Sequence, residues 1–272
     1  MFFYKYNINT SKNQSFLDRE KGERKMTTQK MLSGLRKGIS TYKMIKDGDK
    51  IAVGLSGGKD SVTLLKLLAE YRKFSPEKFD LIAITIDLAF EKQDKDYTVL
   101  KNFCKKLGVE YYIDETEIGK IVFDIRKETS PCALCSKMRK GALNNLAALK
   151  GCNKVALGHH ADDFIETMLL SMFFEGRLST FAPKSYLDKS GITLIRPMIF
   201  LEESAITAYS KDLPVCDSCC PANDYTKREY VKNIIKKIAE DIPNVREMMF
   251  TALTHPDRYN LFDKFEAEID KY

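Results

Sequence analysis

Apolar positions along the chain alternate between two spacings. Short apolar runs cover residues 51–55 (IAVGL), 79–87 (FDLIAITID), 109–113, 154–157 and 192–196. Each reads as a strand, and 79–87 has the β-rich run of a parallel strand buried on both faces. Between them lie stretches whose apolar residues recur three and four apart: 61–73, 94–107, 118–127, 136–150, 162–174 and 202–211. These read as helices, and Gly108 and Gly151 stand where a helix would end. Two further helices are expected near residues 226–241 and 244–253. Strand and helix in regular succession predict an α/β fold: a mostly parallel, Rossmann-like sheet with helices on both faces. Ligands of such sheets bind beyond the strand C-termini, near the point where strand order reverses. The loops in that position hold SGGKDS (56–61), Asp87, Gly158-His159-His160 and Arg196.

Composition narrows the class. The 272 residues are 44% hydrophobic and 30% charged, as in an ordinary globular protein. No apolar run nears the roughly 18 residues of a membrane span, and the first residues lack a secretory pattern. Seven cysteines without such a signal suit the cytoplasm, where thiols bind metal or do chemistry. The net charge of +6 is uneven: residues 1–50 carry 12 Lys/Arg against 5 Asp/Glu. Residues 1–30 therefore read as a basic leader. In residues 30–50, Lys30, Arg36, Lys37, Lys43 and Lys46 accompany the apolar positions Met31, Leu35, Ile39 and Met44. That face is either solvated or docks a polyanion.

The loop LSGGKDS (55–61) follows a strand and opens a helix. Glycines bring backbone N–H groups close to an anion, and the helix N-terminus adds its positive end. Ser56 and Ser61 can donate hydrogen bonds, and Lys59 supplies charge. The Walker A pattern fails, because Val53 stands where its first glycine belongs and Asp60 where its Ser or Thr belongs.

The cysteines form a second constellation. Cys132 and Cys135 have the CxxC spacing that grips one metal, and Cys216, Cys219 and Cys220 follow much later. Spacing leaves two solutions open. Four thiolates (Cys132, Cys135, Cys216, Cys219) suit structural zinc; three suit a 4Fe–4S cluster with one open iron. Cys104 and Cys152 read as buried hydrophobes.

SGGKDS resembles the SGGxDS signature of the PP-loop ATP pyrophosphatases. PCALCSKMRKGAL (131–143) resembles the central CxxC motif of tRNA thiolases in that family. LGHHADDFIETMLLSMF (157–173), LIRPM (194–198), CPANDYTKR (220–228) and NVREMMFTAL (244–253) are similar to the tRNA 2-thiocytidine synthetase branch. The resemblance runs from about Met31 to Phe262. It implies a PP-loop α/β domain over residues 31–215 with an inserted CxxC, then a cysteine turn and helical region over 216–272. It also implies ATP with Mg2+ as cofactors, cleavage between the α and β phosphates, and a 4Fe–4S cluster on Cys132, Cys135 and Cys220. Nucleotide contacts are then expected from Ser56, Gly57, Gly58, Lys59, Asp60, Ser61, Asp87, Gly158 and His159. Asp163, with Asp162 behind it, carries the family's carboxylate. Arg139 and Lys140, one turn past the CxxC, are placed to meet a target phosphate or the adenylated intermediate. Ala161 stands where the family tends to have arginine.

Beside these expectations stand plainer ones. Asp162 or Asp163 can cap a helix. His160 can be satisfied by backbone, and Lys227, Arg228, Lys232, Lys236 and Lys237 can form a solvated helix face. The function expected is thiolation of a tRNA base, with tRNA and a sulfur donor as partners, no membrane, and a homodimer as the family suggests. The alternatives are a 2-thiouridine or lysidine synthetase, or a non-catalytic zinc-containing nucleotide- and RNA-binding protein.

Overall fold

The computed structural model describes residues 26–89, 96–126, 131–216 and 226–259. Cys219, Cys220 and the leader up to residue 25 lie outside the described residues. Five parallel strands form the sheet: β1 (Asp49–Gly54), β2 (Phe79–Asp87), β3 (Glu110–Glu115), β4 (Lys154–Ala156) and β6 (Ile192–Ile195). A sixth, β5 (Lys184–Leu187), runs antiparallel along β6 at the edge. The order is β3-β2-β1-β4-β6-β5, so the direction of winding reverses between β1 and β4. In register, Val53 of β1 lies between Ala83 of β2 and Ala156 of β4. The strand expected from sequence at 79–87 has those bounds.

Period-2 alternation sorts β1 between two cores. Ile51 and Val53 face a cluster built from α1 (Thr28–Thr41), α2 (Lys59–Arg72) and α3 (Thr98–Leu107). Ala52 faces the other side, with Ile82, Ile84, Val155 and Leu194, against Leu143 and Ala147 of α5 (Pro131–Leu149). The crowded leucines Leu64, Leu65, Leu67 and Leu68 are all fully buried on α2. Each removes enough apolar surface to contribute about 1.5–3 kcal/mol. Met31, Leu35, Ile39 and Met44 are buried too, so α1 is part of this core, whereas Lys30, Arg36 and Lys37 face solvent. At the N-terminal ends of β1 and β4, the Lys154 ammonium sits 2.6 Å from both Asp49 oxygens, buried. Burial pushes the Asp49 carboxyl up, but Lys154, the Lys46 N–H and Asn153 outweigh it and hold it below its ordinary value.

Some boundaries differ from the sequence reading. The helix expected at 136–150 already begins at Pro131, because proline is well suited to a first helical position, where its missing N–H costs nothing. The helix expected at 118–127 starts as α4 (Ile118–Lys120) and widens into a π-helical turn, Ile121–Arg126. β5 was not expected, since an edge strand with exposed Tyr186 carries no apolar run. After β4 come α6 (Ala161–Glu175) and α7 (Glu203–Ser210), then α8 (Lys227–Asp241) and α9 (Val245–Thr254). The last two do not have a core of their own. Val231, Ile235 and Val245 pack on Ile165 and Leu169 of α6. Among the described residues no helix is long and apolar enough to cross a membrane.

Candidate active site at the sheet's switch point

The loops after β1 and β4 meet where the strand order reverses. Leu55 continues the ladder by donating its N–H to Ile84 O (2.8 Å), and Thr85 Oγ1 donates to Leu55 O (2.6 Å). Ser61 then closes the loop. Its hydroxyl accepts from Ser56 N and Ser56 Oγ (both 3.1 Å) and donates to Gly58 O (3.0 Å). Gly57 has φ +88°, a conformation open to glycine at little cost. Gly58 is the N-cap of α2 and brings no side-chain cap, so it leaves the first-turn N–H groups of α2 without that partner. On the opposite wall, a Cβ on Gly158 would lie 3.0 Å from the Asp60 carbonyl carbon and 3.1 Å from its oxygen. The two loops thus come close backbone to backbone, and a side chain on Gly158 would crowd the Asp60 peptide.

A chain of charges runs from this loop into the C-terminal helices. Lys59 Nζ lies 2.8 Å from Asp60 Oδ1 and 3.1 Å from Glu203 Oε1. Glu203, in the first turn of α7, is also gripped by Lys232 of α8, 3.1 Å from each oxygen. Lys232 stands 3.8 Å from Glu166 Oε1, and Arg228 bonds Glu166 Oε2 at 2.7 Å. Arg228 also reaches Asp163 Oδ1 at 3.4 Å. Burial works against the Lys59 ammonium, but Asp60 and Glu203 more than offset it and raise it above its ordinary value. Burial likewise opposes ionised Glu203, yet Lys232 and Lys59 draw its carboxyl down to about 2. Glu166 is 1% exposed, and there burial wins over Arg228 and Lys232 and raises its pKa.

The two histidines have different settings. His159 accepts from Arg196 Nε at Nδ1 (3.2 Å) and its ring lies 4.7 Å from that of Phe181. Burial, together with the positive charges of Arg196, Arg228 and Lys140, pulls it down to about 4 against the attraction of Asp163. His159 is therefore neutral at physiological pH. His160 is buried, with Nε2 3.4 Å from Asp163 Oδ2 and 3.8 Å from Asp60 Oδ1. It links the two loops, a place the sequence reading did not assign it. Asp163 accepts from the His160 N–H (3.0 Å) as a capping group and still faces the crevice. Asp162 points elsewhere: its oxygens take the Glu203 N–H (2.7 Å) and Arg246 of α9 (2.6 Å). It ties α6 to α7 and α9.

The remaining expected residues surround the crevice. Asp87 ends β2 and accepts from Ala89 N (3.0 Å). Cys132 is exposed in the first turn of α5, and Cys135, one turn on, is buried with Leu88, Ile118 and Val122 beside the end of β2. Arg139 and Lys140 are exposed one turn further along α5. Cys104 and Cys152 are buried, and burial pushes each thiol up to about 11. Cys216 donates its backbone N–H to Gly57 O (2.9 Å), and its Cβ lies 3.2 Å from where a Gly57 Cβ would be. The cysteine turn therefore departs from the phosphate loop itself. Two thiols on one turn at a helix N-terminus, where negative charge is favoured, suit a thiophilic group. Among the described residues, no three His, Cys, Asp or Glu side chains stand close enough to hold a metal. Cys220, the third ligand that the resemblance implies, lies outside the described residues. Glu166, Glu203 and Arg246 were missed from sequence. Asp163 and Glu166, three apart on α6, were the available signal, since that spacing puts both on one helix face.

The site defines a nucleotide-binding α/β protein, and comparison with known proteins specifies the group. The PP-loop domain family matches residues 27–262. The tRNA-cytidine(32) 2-sulfurtransferase of Pelobacter propionicus is 38% identical over 233 residues, covering 84% of this chain and 86% of its own. That of Pseudomonas entomophila is 39% identical over 244 residues, 86% of this chain and 88% of its own. The chain belongs to the PP-loop family, within the group of these 2-sulfurtransferases. Among solved structures, the U34-tRNA thiolase NcsA from Methanococcus maripaludis, with its 4Fe–4S cluster, is 24% identical. It superposes with a TM-score of 0.69 over 86% of this chain and 81% of its own, a likeness of fold.

Proposed function

We propose that the protein is an ATP-dependent tRNA sulfurtransferase that replaces the C2 oxygen of a cytidine in the anticodon loop with sulfur. The observation that carries this reading is the Cys216 N–H to Gly57 O bond, which starts the cysteine turn at the phosphate loop. Sulfur chemistry and nucleotide chemistry then share one crevice. Relatives at 38% and 39% identity that bear this activity in their names support the choice of cytidine.

In this mechanism the N–H groups at the start of α2, with Ser56, Ser61 and Lys59, hold the phosphates of ATP. Asp60 would hold the accompanying Mg2+, which would offset phosphate charge, and Asp87 and His159 border the nucleotide. The target base is flipped from its loop into the crevice. Its C2 oxygen bonds to the α-phosphorus as the bond to pyrophosphate breaks. A sulfur nucleophile then adds to C2, and the C–O bond breaks with AMP as leaving group. Asp163, held by His160 and Arg228, handles the protons of these steps. Arg139 and Lys140 meet the charge of the adenylated base. A 4Fe–4S cluster on Cys132, Cys135 and Cys220 would supply a thiophilic site that binds and orients the sulfur. The sulfur arrives as sulfide, or from a persulfide carrier whose S–S bond an external thiol or electron donor reduces to the sulfide level, and the setting is the cytoplasm.

Mass spectrometry of tRNA nucleosides from a deletion strain tests this. Loss of 2-thiocytidine is expected, with rescue by the unaltered gene and none by Cys132→Ala. Unchanged 2-thiocytidine refutes the substrate. Elemental analysis of anaerobically purified protein should find iron and sulfide; stoichiometric zinc without iron refutes the cluster.

A further inference from the structure

Lys59 is the only cation of the phosphate loop, and it is held by two carboxylates. The two differ in what they lose if it leaves. Asp60 is the adjacent residue and travels with the loop. Glu203 belongs to α7, and its backbone is pinned by its N–H to Asp162. Its carboxylate also has Lys232 at 3.1 Å on both oxygens. Glu203 can therefore give up Lys59 and remain paired. All three side chains are about one-third exposed, so the exchange needs no opening of the core.

We infer that Glu203 is a gate on the loop lysine: it pairs with Lys59 before nucleotide binds and yields it to an incoming polyphosphate. This rests on the reading that the loop binds ATP, and it adds a positioning residue that neither motif nor resemblance supplied. Phosphate oxygens compete with one Glu203 oxygen for an ammonium that has three donors. Once Lys59 turns to the phosphates, Glu203 belongs wholly to Lys232. The change reaches α8, where Arg228 contacts Glu166 and Asp163. Nucleotide binding and the setting of α8 are then reciprocally linked.

Calorimetric titration of the full-length protein with Mg·ATP tests the gate. Glu203→Gln removes the competing charge while keeping the shape. A partly exposed ion pair contributes up to about 1 kcal/mol, so Kd should fall up to about fivefold. Lys232→Met has the opposite sign, because Glu203 then depends on Lys59 alone and ATP binding weakens. In a Lys59→Met background the Glu203→Gln effect should vanish. A Glu203→Gln protein that binds ATP no tighter overturns the gate, as does an effect that persists without Lys59. If Glu203→Gln fails to fold, the sign of the Lys232→Met effect decides: unchanged or tighter binding overturns the proposal. No ATP binding by the unaltered protein would sink the functional reading itself, which separates the two failures.

Discussion

Adjacent carboxylates at the start of α6 end up with unrelated work. A helix turns about 100° per residue, so Asp163 faces the crevice while Asp162 faces α7 and α9. The sequence showed a pair of acids but not the direction of either, because direction depends on what packs against the helix. Gly158 is similar: its motif placed it near the nucleotide, but its need for no side chain comes from Asp60 across the crevice. Gly158→Ala should cost about 1–3 kcal/mol, because the Asp60 backbone opposite has to shift to admit the methyl group. Urea denaturation would measure this, and ATP affinity should fall with it. His159 gives a pH prediction. Its folded pKa, about 4, lies below the ordinary 6.5, so the unfolded chain binds the extra proton first. The stabilisation is complete above pH 6.5 and is lost as pH falls toward 4. Denaturation midpoints at pH 7 and pH 5 should differ less in a His159→Phe protein.

Among the elements, strands with continuous apolar runs and helices with a clear stripe were legible, down to the bounds of β2. The start of α5 and the edge strand β5 were not. A proline reads equally as a break or as a first helical residue, and an edge strand has too little buried surface to leave a pattern. The basic helix α8 shows the same ambiguity resolved by packing. Arg228 and Lys232 turn inward to the site, whereas Lys236 and Lys237 face solvent. Arg228→Ala should destabilise the fold by about 1–3 kcal/mol, since Glu166 is buried and loses its closest partner. Chemical denaturation would measure it. Lys236→Ala with Lys237→Ala should leave both stability and ATP affinity unchanged by the same measurements. Any effect of that pair would appear as weaker, more salt-sensitive tRNA binding.

At the scale of the molecule, the alternating pattern was enough to fix a parallel sheet with its site at the switch point. The part played by the last helices was not visible in it. The pattern over residues 226–253 predicts helices without saying what they cover; Val231, Ile235 and Val245 complete a core that α6 begins. A chain cut after residue 216 should therefore expose Ile165 and Leu169. It should bind a hydrophobic dye and aggregate on purification, and a soluble, cooperatively melting fragment would refute this. The Gly57–Cys216 bond has a consequence in time as well as in space. As the chain emerges from the ribosome, the phosphate loop is made early and the residue that clamps it comes late. Glu203 and Lys232 arrive in the same late portion. A nascent chain can close the strands around the loop yet still lack the contacts that shape it. The phosphate loop thus takes its final shape only after most of the chain has been made.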